Sequence, residues 1–313
     1  MKHSYFKTYK NIELKPLSQN EIELLRAWRN DPANTNYLSK IPFITEQMQR
    51  EWFERYLLNV DEMTFAIYEV KELERAVGSL SLYDFSDESA ELGKIMVGDS
   101  AAHGKKIGYN AVIAALKIAF DDLKLKKVRL TVFEENAKAL YIYQKAGFKT
   151  KRSYDKDGRI ELYMEIEAEE FFINTISLDD VYELSFSQCG DARGKMVVVE
   201  GGRSVPFEIK RAFYSYATDT DAIRGQHANR KSAFVMICVA GSCKVRIVDL
   251  DGKEGTYELS SPEKGLYIPK MLWKDMFDFS NDCVLLILSD EHYDKNEYIR
   301  DYSEYLNLKT EVK

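Results

Sequence analysis

Cysteine, histidine, long apolar runs and surplus positive charge are all scarce in this chain of 313 residues, and each scarcity closes off a class of protein. The four cysteines, Cys189, Cys238, Cys243 and Cys283, include no C-x-x-C pair, so neither a disulfide framework nor a zinc knuckle is expected. The longest apolar stretch, AFVMICVAG from Ala233, falls far short of the roughly 20 residues that a membrane span needs. A formal charge of −7 and a pI near 5.4 offer no basic face for nucleic acid or an anionic membrane. An acidic protein can still hold phosphates, but only through local devices such as helix N-termini and placed arginines. The opening segment MKHSYFKTYKNIELK is polar and lacks the apolar centre of a signal peptide. The expectation is a reduced, cytoplasmic, soluble enzyme.

What is present suits globular protein: 45% hydrophobic and 30% charged residues. The length is about two domains' worth, and two regimes meet near residue 168, predicting domains at 1–168 and 169–313. Before the boundary, helical and strand patterns alternate. Leu24, Leu25 and Trp28 repeat at helical spacing, as do Met48, Trp52, Phe53 and Tyr56. Strands are predicted at 64–70, 76–85, 90–97, 127–133 and 161–167, with a long helix over 107–123. After the boundary, short β runs separated by Asp-Gly and Gly-Ser turns predict an all-β sandwich or closed barrel.

The segment IMVGDSAAHGKKIGYNAVIAAL (95–116) carries chemistry. A strand ends near Val97, a short loop holds His103, Gly104, Lys105, Lys106, Ile107 and Gly108, and a long helix begins. Small residues admit an anion close to the backbone, and the helix N-terminus adds partial positive charge, which is the logic of a pyrophosphate cradle. Plain loop geometry is the competing explanation of the glycines. The segment EENAKALYIYQKAGFK (134–149) follows after a further strand.

Together these segments resemble the GCN5-related (GNAT) N-acetyltransferases over about 160 residues, implying an α+β fold with a mixed central sheet flanked by helices. The resemblance implies acetyl-CoA as co-substrate, held by Val97, the loop His103–Gly108, Tyr109 and Asn136. It makes Tyr143 the acid that protonates the departing thiolate. Lys106 stands where the family usually has glycine. Glu91, on the strand leading to Val97, is either a water-mediated proton relay or an exposed structural carboxylate. Trp28 and Trp52 suit stacking on a sugar or ordinary core packing.

The later motifs FEIKRAFYSY (207–216), RGQHANRK (224–231), VAGSCKVRIVDLDG (239–252), GLYIPKMLWKDMFDFS (265–280) and EYIRDYSEYL (297–306) resemble the cupin-type (WxcM-like) dTDP-sugar 3,4-ketoisomerases. That implies a cupin/jelly-roll barrel. Moving a carbonyl by one carbon needs a base and donors for enediolate oxygens. The resemblance makes His227 the base, with Tyr216 as a second catalytic candidate. It puts Arg211, Tyr214, Arg224, Asn229, Trp273 and Lys274 near the substrate. Asn229 replaces a histidine usual in the family, and Lys274 replaces another after the tryptophan. These departures leave two readings, an active isomerase or a barrel that only binds a sugar nucleotide. Of the four histidines only His227 falls in the barrel motifs, so no metal is expected.

Ketoisomerisation and N-acetylation are both steps toward 3-acetamido-3,6-dideoxyhexose nucleotides. The implied partners are therefore dTDP-linked keto- and amino-deoxysugars. No nucleic acid or membrane is expected, and a homo-oligomer, a dimer, is. The rival is an acetyltransferase for a sugar or a protein N-terminus whose barrel is a binding or dimerisation module.

Overall fold

The computed structural model describes residues 3–35, 37, 42–86 and 88–311. The chain divides into two compact units, Met1–Phe171 and Phe172–Lys313. The division falls inside one helix, three residues beyond the boundary expected from composition.

The first unit holds β1 (Lys7–Tyr9), β2 (Ile12–Pro16), α1 (Ile22–Asn30), α2 (Glu46–Leu58), β3 (Glu62–Glu69), β4 (Arg75–Ser86) and β5 (Ser89–Val97). Then follow α3 (Ile107–Lys117), β6 (Lys127–Phe133), α4 (Ala137–Lys145), β7 (Lys149–Lys156), β8 (Arg159–Glu167) and the boundary helix α5 (Ala168–Thr175). Its eight strands form one mixed sheet in the order β1-β2-β3-β4-β5-β6-β8-β7. All neighbours are antiparallel except β5 and β6, which run parallel around the crossover through α3. α3 is apolar nearly all round, and most of its residues are buried, as a helix without a polar face must be. The long predicted helix ends early, because its last turn widens into a π-helical turn over Ile118–Asp122. β7 was not expected. Its sequence KTKRSYDK is polar and almost wholly exposed, which a strand at the sheet edge tolerates.

The second unit holds β9 (Tyr182–Ser185), β10 (Ser187–Asp191), β11 (Gly194–Val198), β12 (Arg211–Tyr216), β13 (Arg224–Asn229), β14 (Phe234–Ala240) and β15 (Cys243–Val248). These are followed by β16 (Glu254–Leu259), β17 (Lys264–Ile268), β18 (Trp273–Phe277), β19 (Val284–Ser289), β20 (Tyr298–Ile299) and α6 (Tyr302–Glu311). Two five-stranded antiparallel sheets, β12-β19-β14-β17-β9 and β16-β15-β18-β13-β20, form the predicted cupin-type barrel. Their inner faces meet where the Lys274 amine of β18 lies 4.8 Å from the Phe234 ring of β14. The outer face of the first sheet is covered too: Val235, Ile237 and Leu288 pack with Phe186 and Val205. β14 is therefore buried on both sides and reads as a continuous apolar run.

Candidate functional sites

In the first unit the strands part. Parallel pairing of β5 with β6 runs from Ser89↔Lys127 to Glu91↔Arg129 and stops, although β5 continues to Val97 and β6 to Phe133. Backbone groups of residues 92–97 on that side have no β6 partner, which opens a wedge. The loop after Val97 is held from several sides. A His103 ring nitrogen lies 3.1 Å from the Val97 carbonyl oxygen. Asn11 donates to the Lys105 carbonyl at 3.4 Å and accepts from Asn110 at 2.7 Å. Lys106 takes the left-handed conformation, φ +60°, at the start of α3, where the family more often has glycine. No side chain caps α3, and a Cβ added to Gly104 would meet nothing within 4 Å. Uncapped amides beside open space fit a coenzyme pyrophosphate. Lys105 is ion-paired with Glu72, so its charge is already partnered. Gly108 brings α3 against α4, since a Cβ there would lie 3.2 Å from Ile142 Cδ1.

Asn136 uses its side chain to cap α4, accepting from the Ala139 amide at 3.3 Å. Tyr143, in the middle of α4, is 8% exposed and stands edge-on to Phe148 at 5.9 Å. Burial pushes its hydroxyl up to about 12, so it keeps its proton at neutral pH. Lys145 lies 5.0 Å from the Tyr109 ring.

Glu91 belongs to a row that the sequence did not reveal. Glu62, Tyr83 and Glu91 are direct cross-strand neighbours on β3, β4 and β5. The Tyr83 hydroxyl donates to Glu91 Oε1 at 2.6 Å, and Lys94 pairs with Glu62 at 2.7 Å. Burial, then Glu91, raise the Tyr83 hydroxyl well above its ordinary value. Tyr143 is close enough to add to that rise. Only the register reveals the row, because no spacing in the sequence says which residues of β3, β4 and β5 lie opposite one another. Trp28 and Trp52 pack against the cluster of Leu17, Ile22, Leu25, Phe53 and Tyr56, which favours core packing over sugar stacking.

In the barrel, His227 is held by its own strand: Nδ1 donates to the Gly225 carbonyl at 2.8 Å, leaving Nε2 for chemistry. A β-bulge at Gln226, φ +51°, shifts the register so that His227 pairs with Lys274 and Arg224 with Met276. Without the extra residue, Arg224 and His227 would face opposite sides of the sheet. Burial, and after it the Lys274 charge, lower the His227 imidazole to about 4. The Lys274 amine donates to Asn229 Oδ1 at 2.6 Å. Asn229 Nδ2 is buried with no partner, as are Nε and Nη2 of Arg211.

Arg211 reaches this face because it pairs with Ser289, which pairs in turn with Phe234. An aromatic chain leads from Arg211 to the histidine. Its guanidinium lies 5.6 Å from the Tyr293 ring, Tyr293 is 5.9 Å from Tyr298, and Tyr298 is 4.8 Å from His227. Arg300 covers Tyr298 at 4.8 Å. Sequence reasoning missed Tyr293, Tyr298 and Arg300, although YIR stood within a quoted motif.

Three expected placements differ. Alternation along β12 turns Tyr214 and Tyr216 to the face opposite Arg211, where they are exposed and 5.9 Å apart. Alternation along β18 turns Trp273 away from Lys274. Its indole donates to Asp275 at 3.0 Å and packs on Tyr302 and Tyr305 of α6. The barrel also brings Cys238, Cys243 and Cys283 together, with sulfurs within 4.8 Å of one another, a cluster that the absence of C-x-x-C spacing hid.

Residues 179–310 match the family described as WxcM-like, C-terminal (FdtA), and residues 11–149 match the acetyltransferase (GNAT) domain. Over 122 residues the chain is 38% identical to the TDP-4-oxo-6-deoxy-alpha-D-glucose-3,4-oxoisomerase of Aneurinibacillus thermoaerophilus, covering 39% of this chain and 87% of that one. The chain belongs to the WxcM-like family. This WxcM-like chain carries its GNAT domain ahead of the barrel. That domain is 26% identical over 141 residues to the acetyltransferase PseH of Campylobacter jejuni, covering 45% of this chain and 83% of that one. Among solved structures, QdtA, a sugar 3,4-ketoisomerase from Thermoanaerobacterium thermosaccharolyticum in complex with TDP, is similar at 39% identity. Its TM-score is 0.42, with 43% of the WxcM-like chain and 98% of QdtA covered.

Proposed function

We propose that the chain is bifunctional: residues 169–313 isomerise TDP-4-keto-6-deoxyglucose to the 3-keto sugar, and residues 1–168 acetylate a 3-amino sugar nucleotide with acetyl-CoA. A separate aminotransferase would act between the two steps, giving a TDP-3-acetamido-3,6-dideoxyhexose. The observation that carries the barrel's half is His227, whose Nδ1 is tied back to Gly225 while its ring lies beside Asn229 and pairs across the sheet with Lys274.

In that reaction His227 takes the proton from C3 and returns one to C4. Arg211 holds the nucleotide's phosphates, and Tyr298 walls the sugar pocket. Arg224, on the same face as Lys274, serves the pocket rim. In the acetyltransferase, the amides at the start of α3 and the Gly104 turn receive the coenzyme pyrophosphate, and the wedge beside Val97 receives the acetyl arm. The acceptor ammonium loses a proton toward the Glu91–Tyr83 pair, and Tyr143 protonates the leaving thiolate. Acetyl-CoA supplies the activated acetyl group. The free edge of β12, with Tyr214 and Tyr216 exposed beside it, is the surface on which a homodimer would form.

One observation favours a second reading. Asn229 occupies a position where the family usually has histidine, so the barrel could bind the nucleotide without turnover. Incubation with TDP-4-keto-6-deoxyglucose in heavy water decides between them by NMR. Deuterium entering the sugar ring with a 3-keto product, both lost in His227→Asn, is expected. A bound ligand without exchange over hours would leave the acetyltransferase as the only enzyme.

A further inference from the structure

The departure that casts doubt on the barrel also suggests how it works. The geometry points to Lys274 as a second proton carrier of the isomerase, moving the oxygen protons while His227 moves the carbon proton. This rests on the isomerase reading of the barrel.

Lys274 is 3% exposed and faces the barrel interior directly opposite His227. Its only hydrogen bond among the described residues is to the neutral Asn229 amide. The carboxylates nearest to it are committed elsewhere. Asp275, the next residue, binds Arg246 at 2.9 Å and the Trp273 indole. Glu297 accepts from the Ser232 hydroxyl and from the Ser232 and Lys231 amides. The other charged or titratable groups around the pair are His227 itself, Tyr298, whose ring lies 4.8 Å from the imidazole, and Arg300, which adds positive charge. A buried ammonium without a paired carboxylate is costly, so the amine gives up its proton readily. Its pKa falls to about 7, with burial the largest cause and Glu297 and Asp275 opposing it.

A group that exchanges protons near neutrality, fixed by one hydrogen bond and aimed beside the base, matches what the reaction still lacks. His227 removes the C3 proton, and the C3–H electron pair forms the C3=C4 bond. The C4 carbonyl pair moves to O4, which takes a proton from the Lys274 ammonium. The neutral amine then takes the O3 proton as C3=O forms, and His227 returns its proton to C4. Each carrier ends as it began, and no co-reactant is needed. Because O3 and O4 are on adjacent carbons, one amine can serve both.

The test is the pH profile of isomerisation by the full chain with TDP-4-keto-6-deoxyglucose, for wild type, Lys274→Gln and Lys274→Arg, with TDP affinity measured by calorimetry. The wild-type rate should fall on the alkaline side of about pH 7, as the ammonium that starts the cycle is lost. Both variants should lose about 100-fold or more in kcat while TDP affinity stays within about threefold. Arginine keeps the charge but does not release a proton, so it should not rescue. An active Lys274→Arg enzyme, a flat wild-type profile from pH 6 to 9, or loss of TDP binding in both variants would each overturn the proton role. A wild-type protein that binds TDP yet gives no exchange would overturn the isomerase reading, and the role of Lys274 with it.

Discussion

Tyr143 and Lys274 are both buried polar groups, and burial acts on them in opposite senses. A phenol is neutral when protonated, so burial raises it to about 12 and keeps it a proton donor across the usable pH range. Tyr143→Phe should therefore cut acetyl transfer about 100-fold, followed by thiol release, with coenzyme affinity unchanged. An unchanged rate would remove Tyr143 from the chemistry. Lysine is charged when protonated, so burial lowers Lys274 from its ordinary value of 10.5 to about 7. Between those values the unfolded chain binds the extra proton, and the barrel gains stability as pH rises from about 7 toward 10.5. Comparing wild type with Lys274→Met isolates this effect. The stability difference should move in favour of wild type by roughly 2 kcal/mol between pH 7 and 9. A difference that does not change with pH would mean that Lys274 stays charged in the fold.

At the scale of elements, both sites depend on breaks in regular pairing. The β5–β6 splay opens the first unit, and the Gln226 bulge sets the face of His227 in the second. Gly225 makes the bulge possible. Its φ is +88°, and a Cβ there would come 2.7 Å from the Lys274 carbonyl oxygen. Gly225→Ala should destabilise the barrel by about 1–3 kcal/mol in denaturant titration and lower isomerisation more than the stability loss explains. Wild-type stability and turnover would show that the bulge is not a constraint. These breaks mark where sequence reading succeeds and fails. Period-2 and period-3.6 patterns located β6, α1 and α2 well, since each has an apolar face to bury. The motif residues His227, Asn229 and Lys274 were legible individually and converge on one face. Tyr216 and Trp273 were misplaced because a motif gives proximity in the chain, while alternation decides the face. Glu62, Tyr83 and the three cysteines were invisible because cross-strand register is a long-range property that no local spacing encodes.

At the scale of the whole chain, the reacting groups proposed for each reaction fall within one unit. Tyr143, Glu91 and the Gly104 turn all belong to residues 1–171, and His227, Asn229, Lys274 and Arg211 all belong to residues 172–313. The two reactions in the proposed pathway are also separated by a transamination, so the product of one is not the substrate of the next. Direct transfer between the sites would therefore bring no benefit, and the chemistry requires no coupling between them. The expected result is full separability: His227→Asn retains wild-type acetylation of a TDP-3-amino sugar, and Tyr143→Phe retains wild-type isomerisation, each assayed in the full-length chain. Saturating either site with its ligand should also leave the rate at the other unchanged. A rate at one site that depends on ligand at the other would instead make the barrel a regulator of the acetyltransferase, and by thermodynamic reciprocity the coenzyme would then alter sugar-nucleotide affinity by the same factor.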